Sequence, residues 1–401
     1  MRIAIIAAAL LAGTAQFTVA QLNALAKDAG LLYFGTAISS SDSSDAAYWK
    51  IANDVNTFGQ WTPDNAQKWD STESSRGRFS YSQADSLISR ATSNKQIMRC
   101  HTLVWYSQLP GWVSSGSWTK ATMTSVLDSH ISNVVGHFKG KCYAWDVVNE
   151  ALEDDGSYRQ NVFFKVLGES YFPLAFKLAA AADPNARLYY NDYYLEFMPV
   201  KADAAVRVAK LIQEAGAPIH GIGFQGHITL GQTPSRENMT WTLNKFTALG
   251  LDVAYTELDM RIKGVAIDAT SLEQQAKEYE AVVGSCVDVP RCVGVTVWGF
   301  GDARSWIKNG DPDLFDKSTK PKPAFSRVSS LLASASGKRP PWNTATSATT
   351  VTAATATATI VKMPKRAGVA DHWDSCSACG CDTRATVFYS DTLVGTLTSS
   401  P

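Results

Sequence analysis

The sequence has no net charge: 37 Lys and Arg balance 37 Asp and Glu, and the isoelectric point is near 7. That removes any electrostatic reason to expect nucleic acid or an anionic membrane as a partner. Long apolar runs are missing too. Arg2 and the short run Ile3 to Ala12 fall well under the ~20 residues that span a bilayer. With small residues Thr18 and Ala20 before Gln21, residues 1–20 read instead as a signal peptide, so the chain is expected to be secreted. No C-terminal hydrophobic tail suggests a lipid anchor. Sequons are almost absent, Asn238-Met239-Thr240 being the one N-glycosylation candidate. Cysteines are few and odd in number, at seven, so at least one thiol is left free or pairs between molecules. In an oxidising compartment Cys286 and Cys292, around a short loop with Pro290, read as a local disulfide. Cys100 and Cys142 lie at matching depth on consecutive expected strands, either as an inter-strand bridge or as two buried thiols. Cys376, Cys379 and Cys381 have no evident fourth zinc ligand beyond His372, and no metal is expected.

What the sequence does have is a repeated theme. From Leu31 to Phe300, apolar β-rich runs end in polar or aromatic residues and are followed by longer helical stretches. The runs are Leu31–Ser39, Thr57–Pro63, Gln96–Trp105, Cys142–Glu150, Arg187–Tyr194, Gly221–Ile228, Asp252–Met260 and Gly294–Phe300. Amphipathic helices fit the gaps, as in Val200–Glu214 and Ser271–Val283. Eight such units in a chain of 401 residues predict an α/β fold, a (β/α)8 TIM barrel, rather than an open doubly wound sheet. The expected divisions are a barrel over 21–335, a disordered Thr/Ala-rich linker over 336–360, and an unassigned Cys-containing tail over 361–401. Thr344–Thr359 alternates Thr or Ser with Ala and Val and has no periodicity.

Barrel enzymes build their sites where the strands end. Those ends carry Asn65, Lys68, His101, Trp105, Asn149, Glu150, Asn191, Tyr193, Gln225, His227, Glu257, Asp259 and Trp298. Polar side chains in apolar strands are costly unless paired or used, and so many at one end mark a site. Glu150 and Glu257 fall on strands four and seven of the count, roughly opposite across the ring. Two carboxylates flanking a bound sugar are what glycosidic hydrolysis needs, one to protonate the leaving oxygen and one on the other face. Asn149 could bond the sugar 2-hydroxyl. His227 and Asp259 fall near Glu257, since positions i and i+2 share a strand face, and would keep it ionised and aimed.

These motifs carry a resemblance. Thr62-Pro63-Asp64-Asn65-Ala66-Gln67-Lys68-Trp69-Asp70, His101-Thr102-Leu103-Val104-Trp105, Ser107-Gln108-Leu109-Pro110 and Trp145-Asp146-Val147-Val148-Asn149-Glu150-Ala151 come first. Asn191-Asp192-Tyr193, Gly223-Phe224-Gln225-Gly226-His227, Thr256-Glu257-Leu258-Asp259 and Val297-Trp298-Gly299 follow. In this order they resemble family 10 glycoside hydrolases, chiefly endo-β-1,4-xylanases, over residues 22 to about 335. The resemblance implies a retaining double displacement with Glu150 as acid/base and Glu257 as nucleophile, no cofactor or metal, and extracellular action on xylan and xylo-oligosaccharides by a monomer. It also implies that Asp64, Asn65, Lys68, His101, Trp105, Gln225, Trp298 and Trp306 hold sugars on the non-reducing side, with Asn191 close by and Tyr193 a platform on the other side. Asp64 stands where the family usually has Glu, Tyr106 replaces a frequent His, and Cys100 and Cys142 are both atypical, which favours their pairing. The competing readings are a β-glycosidase acting on mixed β-glucan or a plant glycoside, and a non-catalytic sugar-binding protein.

Overall fold

The computed structural model describes residues 21–40 and 45–342. The expected signal peptide, most of the linker, the tail and its three cysteines lie outside the described residues.

Among the described residues nine strands run in chain order: β1 Tyr33–Ile38, β2 Gln60–Pro63, β3 Ile97–Val104, β4 Ala144–Asn149, β5 Arg187–Asp192, β6 Gly221–Phe224, β7 His227–Thr229, β8 Asp252–Arg261 and β9 Cys292–Val297. All pairings among them are parallel, and β6 pairs with β8 as well as β5, closing an eight-stranded barrel. A strand of such a barrel is buried on both faces, which is why β4 and β9 are buried along their whole length. Helices cover the outside. The helix Ala269–Asp288 begins where the Asp268 carboxylate accepts from the Thr270 and Ser271 amides. It buries Ala276, Tyr279, Val282, Val283 and Cys286 at helical spacing. Each large apolar side chain so buried contributes roughly 1.5–3 kcal/mol. The last helix, Pro323–Ala335, starts with proline in its first turn and ties to its neighbour through Arg327, which bonds Glu273 and Glu280.

The sixth expected strand, Gly221–Ile228, is in fact two. It breaks at Gln225-Gly226, where Gly226 takes φ +77°, and resumes as β7 alongside the end of β8. That break re-aims His227, which lands in register with Asp259. Both disulfides expected at Cys100–Cys142 and Cys286–Cys292 are formed. The chain also stays with the barrel beyond residue 335: Arg339 donates to the carbonyls of Gly30, Val289 and Cys292.

Candidate active site

Glu150 is the first residue after β4, and Glu257 lies within β8. Glu150 adopts φ +52°, a left-handed conformation that a non-glycine residue holds only under constraint, at a cost on the order of 1–3 kcal/mol. The constraint is visible. Its amide donates to the Asn191 carbonyl at 2.9 Å, and its own carbonyl accepts from Arg159 Nε at 2.9 Å. Glu257 is fixed at its amide by the Gln225 carbonyl, also at 2.9 Å. Both side chains are nearly buried, at 9% and 5% exposed.

The surroundings of the two carboxyl groups differ. Burial would push Glu257 up, but its hydrogen bond with His227, the charges of His101 and His227, and the Asn191 amide together hold it down at about 2. His227 Nε2 lies 3.2 Å from Glu257 Oε2, and Nδ1 lies 3.0 Å from Asp259 Oδ2. Burial works against a charged imidazole there, yet these two carboxylates raise His227 well above its ordinary value, so both ring nitrogens donate. Trp306 Nε1 donates to the same Asp259 oxygen at 2.7 Å. Among the described residues no cation lies within ion-pair distance of the Glu150 carboxyl. Neutral donors hold it instead: Trp105 Nε1 to Oε2 and Gln225 Nε2 to Oε1, each at 2.9 Å, with Asn149 Nδ2 more loosely at 3.4 Å. Glu257 is thus kept an anion, while the Glu150 carboxyl is held in place by neutral donors.

Between them opens a cavity of about 500 Å³. It is lined by Asp64, Asn65, Lys68, His101, Trp105, Asn149, Glu150, Tyr193, Gln225, His227, Glu257, Trp298 and Trp306, all named from the sequence. A second cavity of about 400 Å³ shares Asp64, Trp298 and Trp306, so the cleft continues past one end. Lys68 is buried; its Nζ donates to Asn65 at 2.9 Å and Gln108 at 2.6 Å and lies 4.9 Å from the centre of the Trp105 ring. Burial lowers its pKa, against the raising fields of Glu257, Asp64 and Glu150.

Two expected site residues stand behind the wall. Asp259 is fully buried beneath His227. Asn191 is fully buried, and both protons of its amide are used, on Asn149 Oδ1 and Glu257 Oε1 at 2.8 Å each. Its carbonyl oxygen accepts from Thr256. A Cβ at Gly223 would come within 2.1 Å of that oxygen, so glycine there makes the space Asn191 fills. The sequence reading passed over Asp146, which faces the barrel axis, takes the Arg99 guanidinium and lies 3.0 Å from His101 Nδ1. Its signal was a carboxylate inside an otherwise apolar strand. Arg159 was passed over too, hidden in a polar loop that gives no periodic signal.

With this geometry in hand, residues 21–331 match the family model for glycosyl hydrolase family 10. The chain is 51% identical over 335 residues to endo-1,4-β-xylanase 1 of Humicola insolens, covering 82% of this chain and 78% of that one. It is 48% identical over 324 residues to endo-1,4-β-xylanase 5 of Pyricularia oryzae, covering 80% of each. Among solved structures it is similar to an endo-1,4-β-xylanase of Penicillium canescens, with TM-score 0.76 and 38% identity over 78% of this chain and 98% of that one. It is also similar to a Thermotoga petrophila xylanase solved with xylobiose, with TM-score 0.75 and 36% identity over 78% and 97% of the two chains.

Proposed function

The chain belongs to glycosyl hydrolase family 10 and is an endo-1,4-β-xylanase, and on that premise we propose how its residues divide a retaining double displacement. The single observation that carries the division is the contrast between the two carboxylates: Glu257 faces a His227 imidazolium, whereas among the described residues the donors to the Glu150 carboxyl are the neutral Trp105, Gln225 and Asn149.

In the first step Glu257 attacks the anomeric carbon from below the sugar. The bond to the leaving oxygen breaks as Glu150 gives that oxygen its proton, and a glycosyl ester on Glu257 results. In the second step Glu150, now a carboxylate, takes a proton from water. The resulting hydroxide equivalent attacks the same carbon, breaks the ester and restores Glu257, so the configuration is retained. His227, Asp259 and Asn191 position Glu257, and Trp105 and Gln225 position Glu150. Asp64, Asn65, Lys68, His101, Trp298 and Trp306 hold xylose units on the non-reducing side, toward the second cavity, and Tyr193 takes the sugar on the leaving-group side. Asn149 offers its amide to the 2-hydroxyl of the reacting sugar. The enzyme works without metal, outside the cell, as a monomer; residues 1–20 are its signal peptide, and the exposed Asn238 carries glycan.

Chemical rescue tests the division. Glu150→Ala should keep fast glycosylation with an aryl xylobioside whose leaving group needs no proton, and added azide should speed turnover and give a β-glycosyl azide. Glu257→Ala should lose nearly all activity on every substrate. An α-azide from Glu257→Ala, with Glu150→Ala dead on activated substrates, would exchange the roles. Reducing-sugar release from xylan, mixed β-glucan and carboxymethylcellulose measured side by side should show xylan far ahead.

A further inference from the structure

Arg159 is used by neither step above, yet its side chain is only 15% exposed and bonds both the Glu150 carbonyl and the Tyr193 hydroxyl. After Glu150 the chain makes a small hairpin, with Leu152 bridged to Tyr158 and the turn at Gly156, φ +78°. Arg159 ends the returning arm and lies back on the segment that follows Glu150. Its amide donates to the Ala151 carbonyl at 2.8 Å, Nε to the Glu150 carbonyl at 2.9 Å, and Nη2 to the Leu152 carbonyl at 3.1 Å. One residue therefore bonds three consecutive carbonyls, the first of them that of the left-handed Glu150. The same Nη2 donates to the Tyr193 hydroxyl at 2.7 Å, and the guanidinium lies 4.3 Å from the centre of the Tyr106 ring. Tyr193 is held from its other side by the buried Lys201, whose Nζ lies against the ring and pairs with the buried Asp192 at 3.1 Å. The planar fork of arginine suits such a junction, because its donors are fixed relative to one another.

We propose that Arg159 is a positioning residue that locks the acid/base Glu150 and the leaving-group platform Tyr193 into one rigid unit, so that the proton and the departing oxygen meet in register. The proposal rests on the assignment of Glu150 as acid/base. A proton delivered off line costs most where the leaving group needs it and little where it does not. Loss of Arg159 therefore acts as a partial loss of acid catalysis rather than as loss of substrate affinity.

The test compares Arg159→Lys with the wild-type enzyme over a series of aryl β-xylobiosides of rising leaving-group pKa, together with xylotriose. Folding is checked by circular dichroism. The expected result is a fall in kcat/KM, which reports the glycosylation step, of at least tenfold on xylotriose and on the least acidic phenols, under threefold on dinitrophenyl xylobioside, and a steeper dependence on leaving-group pKa. Equal falls across the series, or a change confined to KM, overturn the proposal. Should Arg159→Lys fail to fold, Tyr193→Phe keeps the ring and removes only the hydroxyl that Arg159 holds. It should show the same leaving-group selectivity at threefold or more, and an unselective change overturns the proposal. Glu150→Ala is run in parallel: if azide fails to rescue it on the activated substrate, the acid/base assignment has failed, and the Arg159 result is then judged against whichever carboxylate shows rescue.

Discussion

Glu257, the proposed nucleophile, is held down at about 2 beside the His227 imidazolium, and its dependence on His227 can be measured. Removing the imidazolium in His227→Asn takes away a donated hydrogen bond and a positive charge, both of which favour the ionised form. The Glu257 pKa should then rise, moving the acid limb of kcat/KM upward by about one pH unit or more, with at least a tenfold fall at the optimum. An unmoved limb would show that His227 only packs. Stability follows the same sign. Glu257 is depressed in the fold, so its contribution is present above about 4.3 and is lost as pH falls toward 2, and acid tolerance should weaken in the variant. At this scale the sequence was informative about residue type and less so about direction. Asn191 was recognisable as polar at a strand end, but that it turns behind the wall to bond Asn149 and Glu257 depends on the empty Cβ position of Gly223, 32 residues away. Asp146 and Arg159 escaped because each acts through a partner that only the closed ring or the hairpin brings near.

At the scale of elements, period and punctuation made the eight barrel strands legible, because double-sided burial forces near-continuous apolar runs. What they left out was the break between β6 and β7. A strand run looks the same whether or not one residue inside it takes a positive φ, and Gly226, one of three glycines in Gly221–Ile228, was the available cue. The pairing of Cys100 with Cys142, which depth alone left open and the resemblance favoured, crosslinks the middle of β3 to the residue two places before β4 over a separation of 42 residues. A closed loop of that size restricts the unfolded chain by about 4 kcal/mol in the chain-entropy treatment. The double variant Cys100→Ala, Cys142→Ala should therefore melt lower, by at least about 5 °C. Scanning calorimetry of the oxidised protein reads this directly, and an unchanged Tm would mean that the bridge merely accompanies a contact that packing already secures.

For the molecule as a whole, a closed barrel joins its first and last segments, and here the join is made at the floor, opposite the cleft. The Gly337 amide bonds the Asp28 carbonyl beside the first helix, Leu22–Asp28. Arg339 then gathers the Gly30, Val289 and Cys292 carbonyls, which end the first helical turn region, follow the helix Ala269–Asp288 and begin β9. Burial lowers this arginine to about 10, and hydrogen bonds from a charged donor contribute about 1.5–3 kcal/mol each where they are well made. Trp342 packs beside Tyr33, Ala254 and Val293 in the same region. Contacts with the barrel therefore continue past the expected boundary at residue 335, through Arg339 and Trp342. Ending the chain after Trp342 should leave both Tm and kcat on soluble xylan within error of the full-length enzyme. Ending it after Lys338 removes Arg339 and Trp342 and should lower Tm by about 5 °C or more, with kcat at moderate temperature still within twofold, since the lost contacts lie at the far end of the barrel from Glu150 and Glu257. Equal Tm for the two truncations would place the boundary where composition alone puts it, and a fall in kcat at moderate temperature would show that the floor and the cleft are coupled through the barrel.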